Sequence, residues 1–330
     1  MISTDRAAAI DLLRKGEVVA LPTETVYGLA ADGLNPIAVA KIFEAKGRPR
    51  FDPLIVHLPN RDWLETIVDV PARDRQLILK LADKFWPGPF TIVLQKREIV
   101  PEIVTAGLDT VALRISAHPI FAEIVRELNQ PLAAPSANRF GRVSPTTAQH
   151  VLDELGGRIP IIIDAGPTEH GIESTIVAPR GGKIDILRRG PVTAGQLSEF
   201  AKIDLFGPAK EIYAPGQFPS HYAPKTPLCL IDNAESFSPK TEQRVGLLAW
   251  HPRKGDLQVI HRFAAIRRLS EEQDLREAAA NLFRYLRELD ALSLDLIVAE
   301  RVPSQGLGAA ILDRLERASH DHSVAPGMPE

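Results

Sequence analysis

The stretch NPIAVAKIFEAKGRPRFDPLIVHL, residues 35–58, predicts a helix, a turn and a strand in direct succession. Asn35 is a suitable N-cap residue, Pro36 suits the first helical position, and Gly47 can end the helix. The apolar run at 53–58 then predicts a short buried strand. A helix followed at once by a buried strand favours an α/β fold.

Three cations occupy the connection between this helix and this strand. Lys46, Arg48 and Arg50 lie within five residues, spaced by Gly47 and Pro49. One interpretation is a basic loop that is solvated, and the other is a binding site for an anion. Arg50 is the one of the three that we expect to be only solvated.

Short apolar runs alternate with helical patterns over the first two-thirds of the chain. Strands are predicted at 17–21, 53–58, 90–95, 110–115, 131–138, 159–166, 173–179 and 183–190, and helices at 35–47, 72–85, 118–128 and 144–157. This alternation favours an α/β sheet over a helix bundle or a β-sandwich.

A segment with five prolines and no clear period, residues 205–227, interrupts the pattern. It contains Tyr213, Phe218, His221 and Tyr222, so it does not resemble a flexible Gly/Ser tether, and we expect it to lie on a surface. Apolar runs and a long helical pattern beyond it predict a small parallel α/β domain. The predicted divisions are a catalytic domain at 1–204, a linker at 205–227, a second domain at 228–320 and a tail at 321–330.

The composition is that of an ordinary globular protein, with 45% hydrophobic and 25% charged residues. The net charge of −3 argues against broad nucleic-acid binding, so a cationic site has to arise from local arrangement. Cys229 is the single cysteine, which excludes a Cys-based zinc site and fits a reducing compartment. We expect a cytoplasmic protein, because there is neither a secretory leader nor a run of about 18 apolar residues.

Familiar nucleotide-binding motifs are missing or incomplete. No GxxxxGK[ST] motif occurs, which argues against a P-loop enzyme. The stretch QGLGAAILDRL, residues 305–315, has two glycines before a helix, but Ala310 or Ile311 stands where a dinucleotide-binding motif has its third glycine. Tight packing of a strand against the following helix explains these glycines better.

Polar side chains gather at the ends of predicted strands in four stretches. These are LPTETVYGLAAD (21–32), AAPSANRFGRVSPTTA (133–148), GIESTIVAP (171–179) and ILRRG (186–190). Loops at strand ends converge in α/β sheets, and loops rich in hydroxyl and backbone N–H groups can hold phosphate oxygens. The four stretches together predict a phosphate-binding site.

These motifs resemble those of the YrdC domain of threonylcarbamoyl-AMP synthases. The resemblance rests on LPTETVYGLAA, KGRPRFDPLIVH, APSANRFGRVSPTTAQHV and IESTIVAP, and on the signature pairs Lys46 with Arg48 and Ser136 with Asn138. PSHYAPKTP and GLGAAILDRLERA resemble the linker and second domain of the longer, two-domain form. The resemblance implies a twisted open mixed sheet with a concave, positively charged face, followed by a small Rossmann-like parallel α/β domain.

The resemblance also implies an activity. Members of this family make threonylcarbamoyl-AMP and pyrophosphate from L-threonine, bicarbonate and ATP with Mg²⁺, which is a nucleotidyl transfer. The product is used for the N6-threonylcarbamoyl modification of adenosine in tRNAs that read codons beginning with A. It would pass to the tRNA threonylcarbamoyl-transfer machinery, with direct tRNA binding weak or absent and no membrane partner.

Matching the motifs residue by residue implies the roles of individual side chains. The catalytic residues would be Lys46, Arg48, Ser136 and Asn138. The threonine site would contain Thr25, His57, Arg114, Ala134 and Ser174. The ATP site would contain Arg48, Asp52, Thr110, Ser136, Ser144, Arg188, His221 and Tyr222, with the linker as a lid.

Asp52 departs from the pattern of the family, because many relatives carry asparagine at this position. An acid beside a triphosphate is repulsive unless a cation intervenes. We expect Asp52 to act through Mg²⁺, which would otherwise be held by the ATP phosphates, or through Arg48 or Arg50.

Two other functions fit parts of the pattern. A concave cationic face could bind double-stranded RNA or tRNA without catalysis, with an affinity that falls steeply with salt and needs no ATP. Some carbamoyl-transfer maturation enzymes also contain a YrdC-like domain, but they carry Cys-rich zinc modules, which a single cysteine excludes.

Overall fold

The computed structural model describes residues 1–49, 51–205, 221–251 and 261–320. The chain forms two compact units, Met1–Phe140 with Ser144–Gln217 and Gly141–Val143 with Phe218–Glu330. The short piece Gly141–Val143 therefore groups with the second unit, although the predicted catalytic domain included it. Most of the predicted linker, the predicted tail and Arg50 lie outside the described residues.

The first unit contains strands β1 to β12 and helices α1 to α8. The strands are Ile2–Ser3, Val19–Leu21, Gly28–Asp32, Ile55–His57, Val68–Asp69, Phe90–Lys96, Thr110–Arg114, Leu132–Ala133, Ile161–Ile163, Thr175–Arg180, Lys183–Arg188 and Lys202–Leu205. The helices are Arg6–Arg14, Pro36–Lys46, Leu64–Ile67, Arg75–Phe85, Glu102–Thr105, Pro119–Leu128, Ala148–Leu155 and Ala194–Ser198.

These strands form one open sheet in the order β1-β9-β2-β3-β8-β4-β7-β6-β10-β11-β12, with β5 beside β6. Some neighbouring strands are parallel, such as β4 and β7, and others are antiparallel, such as β6 and β7. The sheet is therefore mixed, as the family resemblance implied.

The residues that begin and end α2 are those that the sequence predicted. The side chain of Asn35 accepts hydrogen bonds from the backbone N–H groups of Ile37 and Ala38, and Pro36 is the first helical residue. Gly47 ends the helix with φ of 59°, a left-handed conformation that glycine adopts without steric cost. The chain then reverses direction and enters β4 eight residues later.

The two faces of the sheet are covered differently. Helices α2, α4 and α7 supply side chains to the main apolar core on one face, including Ile42, Ile78 and Val151. On the other face α1 and α6 pack against one end of the sheet through a smaller core that includes Phe121. The remainder of that second face carries a small apolar cluster that includes Ala112 and Ile176, and beside it the polar side chains described below.

The second unit is built on a parallel sheet. Its strands β13 to β16 are Leu228–Ile231, Val245–Ala249, Ala265–Arg268 and Leu296–Glu300, and its helices α9 and α10 are Leu275–Asp290 and Gly308–Ser319. The strand order is β13-β16-β14-β15, and all pairs are parallel. The predicted small parallel α/β domain is thus confirmed.

Glu300 lies fully buried at the carboxyl end of β16. Its carboxylate accepts backbone hydrogen bonds from Ala234 at 2.8 Å, Trp250 at 2.9 Å and His251 at 3.0 Å. A buried carboxylate is stabilised when several N–H groups donate to it. Glu300 thereby ties the ends of three neighbouring strands together.

One of the two glycines of the QGLG stretch, Gly308, serves packing, whereas Gly306 has φ of 54° and open space around it. A Cβ atom on Gly308, the first residue of α10, would lie 1.9 Å from the carbonyl oxygen of Pro303 and 3.3 Å from Leu275 Cδ2. No side chain larger than hydrogen fits at that distance. The interpretation of this glycine as a close-packing residue is supported by the geometry.

Nine of the described elements were not predicted: helices α1, α3, α5 and α8, and strands β1, β3, β5, β12 and β15. Strand β3, Gly28–Asp32, was interpreted as part of a connection. The sequence of β3, GLAAD, contains no β-branched or aromatic residue and does not alternate, so it lacks a local strand signal.

Within the ranges that the structure describes, no helix is both long and apolar enough to cross a bilayer.

We expect Gly308→Ala to lower the free energy of unfolding of the second unit by about 1–3 kcal/mol, because the methyl group must displace the Pro303 carbonyl. Urea unfolding followed by fluorescence and circular dichroism measures the change. Gly195→Ala is the matched control, because its Cβ would have no neighbour closer than 3.8 Å. Equal midpoints for the two variants would contradict the prediction.

Candidate active site

Residues of five adjacent strands form a row across the sheet of the first unit. The paired positions are His57 on β4, Arg114 on β7, Thr91 on β6, Ile176 on β10 and Arg188 on β11. Residues directly opposite each other on neighbouring strands point to the same face. With about 4.8 Å between strands, the row extends about 19 Å from His57 to Arg188.

Arg114 lies at the centre of a buried polar network at one end of the row. Its Nη2 donates to Glu24 Oε1 at 2.6 Å, its Nη1 to Thr25 Oγ1 at 3.1 Å, and its Nε to the Gly88 carbonyl at 3.1 Å. Ser116 Oγ donates to the second oxygen of Glu24. Burial would raise the pKa of Glu24, but the charge of Arg114 and these hydrogen bonds lower it to about 2.

The turn that carries Glu24 and Thr25 is held by Thr23. Thr23 Oγ1 accepts from the backbone N–H groups of Thr25 and Val26 and donates to the Val26 carbonyl at 2.6 Å. Since a hydroxyl has one proton, Thr25 is the donor in the 2.9 Å hydrogen bond between the two threonine hydroxyls. The Thr25 oxygen therefore presents only lone pairs to Arg114 and to any ligand.

His57 lies beside Arg114 in a dry environment. Its ring centroid is 4.7 Å from that of Phe121 on α6, and its Nδ1 is buried without a hydrogen-bond partner. Burial, with a smaller effect from the charge of Arg114, lowers the pKa of His57 to about 3. The imidazole is therefore neutral at physiological pH.

A second group of charges surrounds Asp52. Arg48 Nη2 lies 2.7 Å from Asp52 Oδ2, and Arg48 also donates to the Pro53 carbonyl at 2.9 Å. Burial raises the pKa of the fully buried Asp52, and the charges of Arg48, Lys46 and Arg188 oppose that rise. The expected link between Asp52 and Arg48 is thus present as an ion pair.

The far end of the row is held by Arg188. Its Nε donates to the Ser174 carbonyl at 3.0 Å and its Nη2 to Ser174 Oγ at 3.1 Å. The Ser174 hydroxyl in turn lies 2.8 Å from Thr91 Oγ1 in the middle of the row. Ser174 therefore connects the end that carries Arg188 with the end that carries Arg114.

Lys46 is fully enclosed by protein. Its Nζ donates to the carbonyl oxygens of Ser136 at 2.6 Å and Asn138 at 2.5 Å, and its own carbonyl accepts from Phe140 N–H at 3.0 Å. Burial, reinforced by the charge of Arg48, lowers the pKa of Lys46 well below its usual range, which Asp52 opposes. In this structure Lys46 shapes the loop 136–140 that carries the other signature pair.

The remaining predicted residues of the first unit lie on the same strands and loops. Ala134 N–H donates to the Ile55 carbonyl at 3.0 Å, and Asn138 Nδ2 donates to the Arg139 carbonyl at 2.8 Å. Ser144 Oγ donates to Glu173 Oε1 at 2.5 Å. Thr110 precedes Arg114 by four residues on β7, so it faces the same side about 13 Å away.

His221 and Tyr222 belong to the second unit. Tyr222 has φ of 65°, its ring centroid is 5.5 Å from that of Phe283, and the Arg314 guanidinium lies 5.1 Å from the centre of its ring. His221 N–H donates to the Arg317 carbonyl. The proximity of these two side chains to a nucleotide, and the lid function of the linker, stay predictions.

A divalent metal would find few protein ligands here. Across the described parts of the chain, no three His, Cys, Asp or Glu side chains are grouped as metal ligands. Asp52 is the one acid among the predicted nucleotide-binding residues, and Arg48 already pairs with it. Mg²⁺ bound through ATP phosphates with at most one carboxylate is compatible with this set, since Mg²⁺ keeps several water ligands.

Sequence reasoning assigned no role to four residues of these networks. Glu24 and Glu173 were named only as parts of polar stretches. Their position next to a predicted buried strand is the sequence feature that could have identified them. Ser116 and Thr91 carried no signal, because their importance comes from the pairing of β7, β6 and β10.

The fold and the site together define an α/β protein that carries Arg114 and Arg188 on one face of its sheet, with Arg48 paired to Asp52 in the connection before β4. The family model Sua5_yciO_yrdC, described as telomere recombination, matches residues 11–190, and the model Sua5_C, described as threonylcarbamoyl-AMP synthase, C-terminal domain, matches residues 192–320.

Similar proteins carry the same description over nearly the whole chain. The threonylcarbamoyl-AMP synthase of Pyrococcus abyssi is 37% identical over 94% of this chain and 93% of its own length. That of Bacillus subtilis is 38% identical over 95% of this chain and 92% of its own length. The crystal structure of P. abyssi Sua5 complexed with L-threonine matches with a TM-score of 0.83 and 35% identity, over 95% of this chain and 94% of that one.

The chain therefore belongs to the Sua5/YrdC family, in its two-domain threonylcarbamoyl-AMP synthase form. Enzymes of this type transfer a nucleotidyl group, which confirms the class of enzyme that the signature pairs indicated.

The buried neutral state of His57 gives the stability of the protein a pH dependence. Between its ordinary pKa of 6.5 and its pKa of about 3 here, the unfolded chain binds a proton that the folded protein does not. The free energy of unfolding therefore falls as the pH is lowered, by up to about 1.4 kcal/mol per pH unit from this residue.

We expect His57→Gln to lose this contribution, so that its free energy of unfolding depends less steeply on pH than that of the wild type. Urea unfolding at several pH values from about 7 down to about 5 measures the slopes. His261→Gln, at an exposed histidine, is the control and should retain the wild-type slope. If the free energy of unfolding of His57→Gln depends on pH as steeply as that of the wild type, the pKa of His57 is not lowered in the folded protein and the prediction is wrong.

Proposed function

We propose that this protein makes threonylcarbamoyl-AMP and pyrophosphate from L-threonine, bicarbonate and ATP, for the N6-threonylcarbamoyladenosine modification of tRNA. The observation that carries the proposal is the presence of two separate sets of buried cations. Arg114 lies buried beside His57 in one, and Arg48 and Arg188 contribute to the charge around Asp52 in the other. One set suits the carboxylate of an amino acid and the other suits phosphates.

The threonine part of the proposal uses the pocket around Arg114. Arg114 receives the carboxylate, and the Thr25 oxygen and the neutral His57 accept hydrogen bonds from the hydroxyl or amino group of the substrate. Ala134 and Ser174 lie on the neighbouring segments. A pocket of this kind separates threonine from serine by one methyl group, which gives a preference of roughly 1–3 kcal/mol.

The nucleotide part uses the charges around Asp52 and the loops beside them. Arg48 and Arg188 neutralise phosphate charge, with Ser136, Ser144 and Thr110 as further contacts. Lys46 and Asn138 act on the phosphates through the shape of the loop 136–140. Cover of the nucleotide by His221 and Tyr222 rests on the family resemblance.

The reaction needs two bond-forming steps. The neutral amine of threonine attacks the carbon of bicarbonate-derived carbon dioxide and loses a proton, which gives a carbamate. A carbamate oxygen then attacks the α-phosphorus of ATP, and the bond to the β-phosphate oxygen breaks with release of pyrophosphate. Both reactants of the second step are anions, so charge neutralisation and in-line placement by the arginines supply most of the catalysis.

We propose that Mg²⁺ binds together with ATP, through the ATP phosphates. When bound, it neutralises charge on the phosphates. The protein would contribute Asp52 at most, as described above. We further propose a cytoplasmic location, which the single cysteine supports, and transfer of the product to the tRNA-modifying machinery.

We expect the purified protein to release pyrophosphate from ATP only when L-threonine, bicarbonate and Mg²⁺ are all present. Labelled threonine should appear in the adenylate product. Turnover without threonine or without bicarbonate would overturn the proposed function. ATP-independent, salt-sensitive binding of RNA with no turnover would favour an RNA-binding role.

We expect Arg48→Ala to reduce kcat/KM for ATP at least about a hundredfold, because it removes a charged donor from the phosphate site and leaves Asp52 unpaired. Steady-state pyrophosphate release measures the loss. Arg14→Ala is the matched control, since the Arg14 side chain is 53% exposed and its acidic neighbours are 3.8 Å away. A loss of less than about fivefold would show that Arg48 does not bind phosphate.

We expect Asp52→Asn to bind ATP more tightly, by about fivefold at low salt, because the site gains one unit of positive charge while Arg48 still donates to the Pro53 carbonyl. Calorimetric titration with ATP, with and without Mg²⁺, measures the affinity. Weaker binding that appears only with Mg²⁺ would identify Asp52 as a metal ligand, and unchanged affinity in both titrations would remove it from the site.

A further inference from the structure

Glu24 is a buried carboxylate with no role in the reaction steps above. Its side chain is 5% exposed, and both of its oxygens are engaged, one by Arg114 and the other by Ser116. The backbone around it is also fixed, because His170 N–H donates to the Glu24 carbonyl at 2.9 Å. A carboxylate with all of these contacts beside the proposed threonine site is a candidate for a role in substrate binding.

The contacts of Arg114 show what Glu24 controls. A guanidinium has five N–H donors in one plane. In Arg114 one donor on Nε points to the Gly88 carbonyl, one on Nη1 to Thr25, and one on Nη2 to Glu24. One N–H remains on each terminal nitrogen, and two such donors match the two oxygens of a carboxylate.

We propose that Glu24 is a positioning residue for the amino-acid substrate, which holds the Arg114 guanidinium so that its two remaining N–H groups receive the substrate carboxylate. This inference rests on the proposed threonine site. Gly88 and Thr25 fix Nε and Nη1, and Glu24 fixes the third nitrogen, so the plane of the guanidinium cannot turn about its long axis.

The oxygen atoms of Glu24 set the alignment of Arg114, and its negative charge contributes to the stability of the folded protein. Arg114 is 3% exposed, and a buried guanidinium without a counter-charge is strongly unfavourable before the substrate arrives. Ser116 holds the second oxygen of Glu24, so the carboxylate itself has one orientation. Glu24 therefore keeps Arg114 both stable and aligned in the free enzyme.

Positioning has to be distinguished from direct contact with substrate, because the α-ammonium group of an amino acid also binds carboxylates. The variants Glu24→Ala and Glu24→Gln separate the two roles. Alanine removes the support of Arg114. Glutamine keeps it, since its amide oxygen accepts from Arg114 and its amide nitrogen donates to Ser116, although the negative charge is lost.

The experiment measures kcat and KM for L-threonine and for ATP by pyrophosphate release, with unfolding midpoints recorded for every variant. We expect Glu24→Ala to raise KM for L-threonine at least about tenfold, while KM for ATP changes less than about threefold. We expect Glu24→Gln to restore KM for L-threonine to within about threefold of wild type. Glu123→Ala is the control, because that glutamate is 44% exposed and pairs with Arg6.

Three outcomes would overturn the inference. Equal losses in Glu24→Ala and Glu24→Gln would mean that the negative charge contacts the substrate directly. An unchanged KM for L-threonine in Glu24→Ala, or proportional changes in both KM values, would reduce Glu24 to a structural residue. If instead the wild type lacks threonine-dependent turnover, the proposed function itself has failed, which the wild-type assay shows before any variant is compared.

Discussion

The hydrogen bonds from Lys46 to the carbonyl oxygens of Ser136 and Asn138 join segments that are 90 and 92 residues apart in the chain. A buried amine needs acceptors and buried carbonyls need donors, so each segment stabilises the position of the other. Arg48 lies two residues after Lys46 in the chain, so the loop 136–140 is fixed close to it. The proposed nucleotide half of the site therefore depends on both segments being in place.

Two of the three buried arginines of the candidate site are each paired with a carboxylate. Glu24 accompanies Arg114, and Asp52 accompanies Arg48. These pairs allow strongly cationic side chains to remain desolvated in the absence of ligand, where a lone charge would be costly. The ligand then meets donors that are already oriented, and little reorganisation is needed during the reaction.

The sequence predicted the features that depend on a few neighbouring residues, such as the ends of helices. Asn35 and Gly47 mark the ends of α2, and Gly308 at the start of α10 was correctly attributed to packing. The row from His57 to Arg188 depends on strand order and register, which no single stretch encodes. Strand β3 was not predicted, because its sequence GLAAD has no local strand signal and its conformation depends on pairing with β2 and β8. The hydrogen bonds of Lys46 were not predicted either, because its acceptors lie in the loop 136–140, far along the chain.

The second unit shows a different use of buried charge. Open parallel sheets usually bind anionic ligands with backbone N–H groups at the carboxyl ends of their strands. Here the carboxylate of Glu300 already accepts from three such groups. An incoming phosphate would meet a buried negative charge in place of open donors. The protein thus carries a permanent internal anion at the carboxyl ends of β13, β16 and β14.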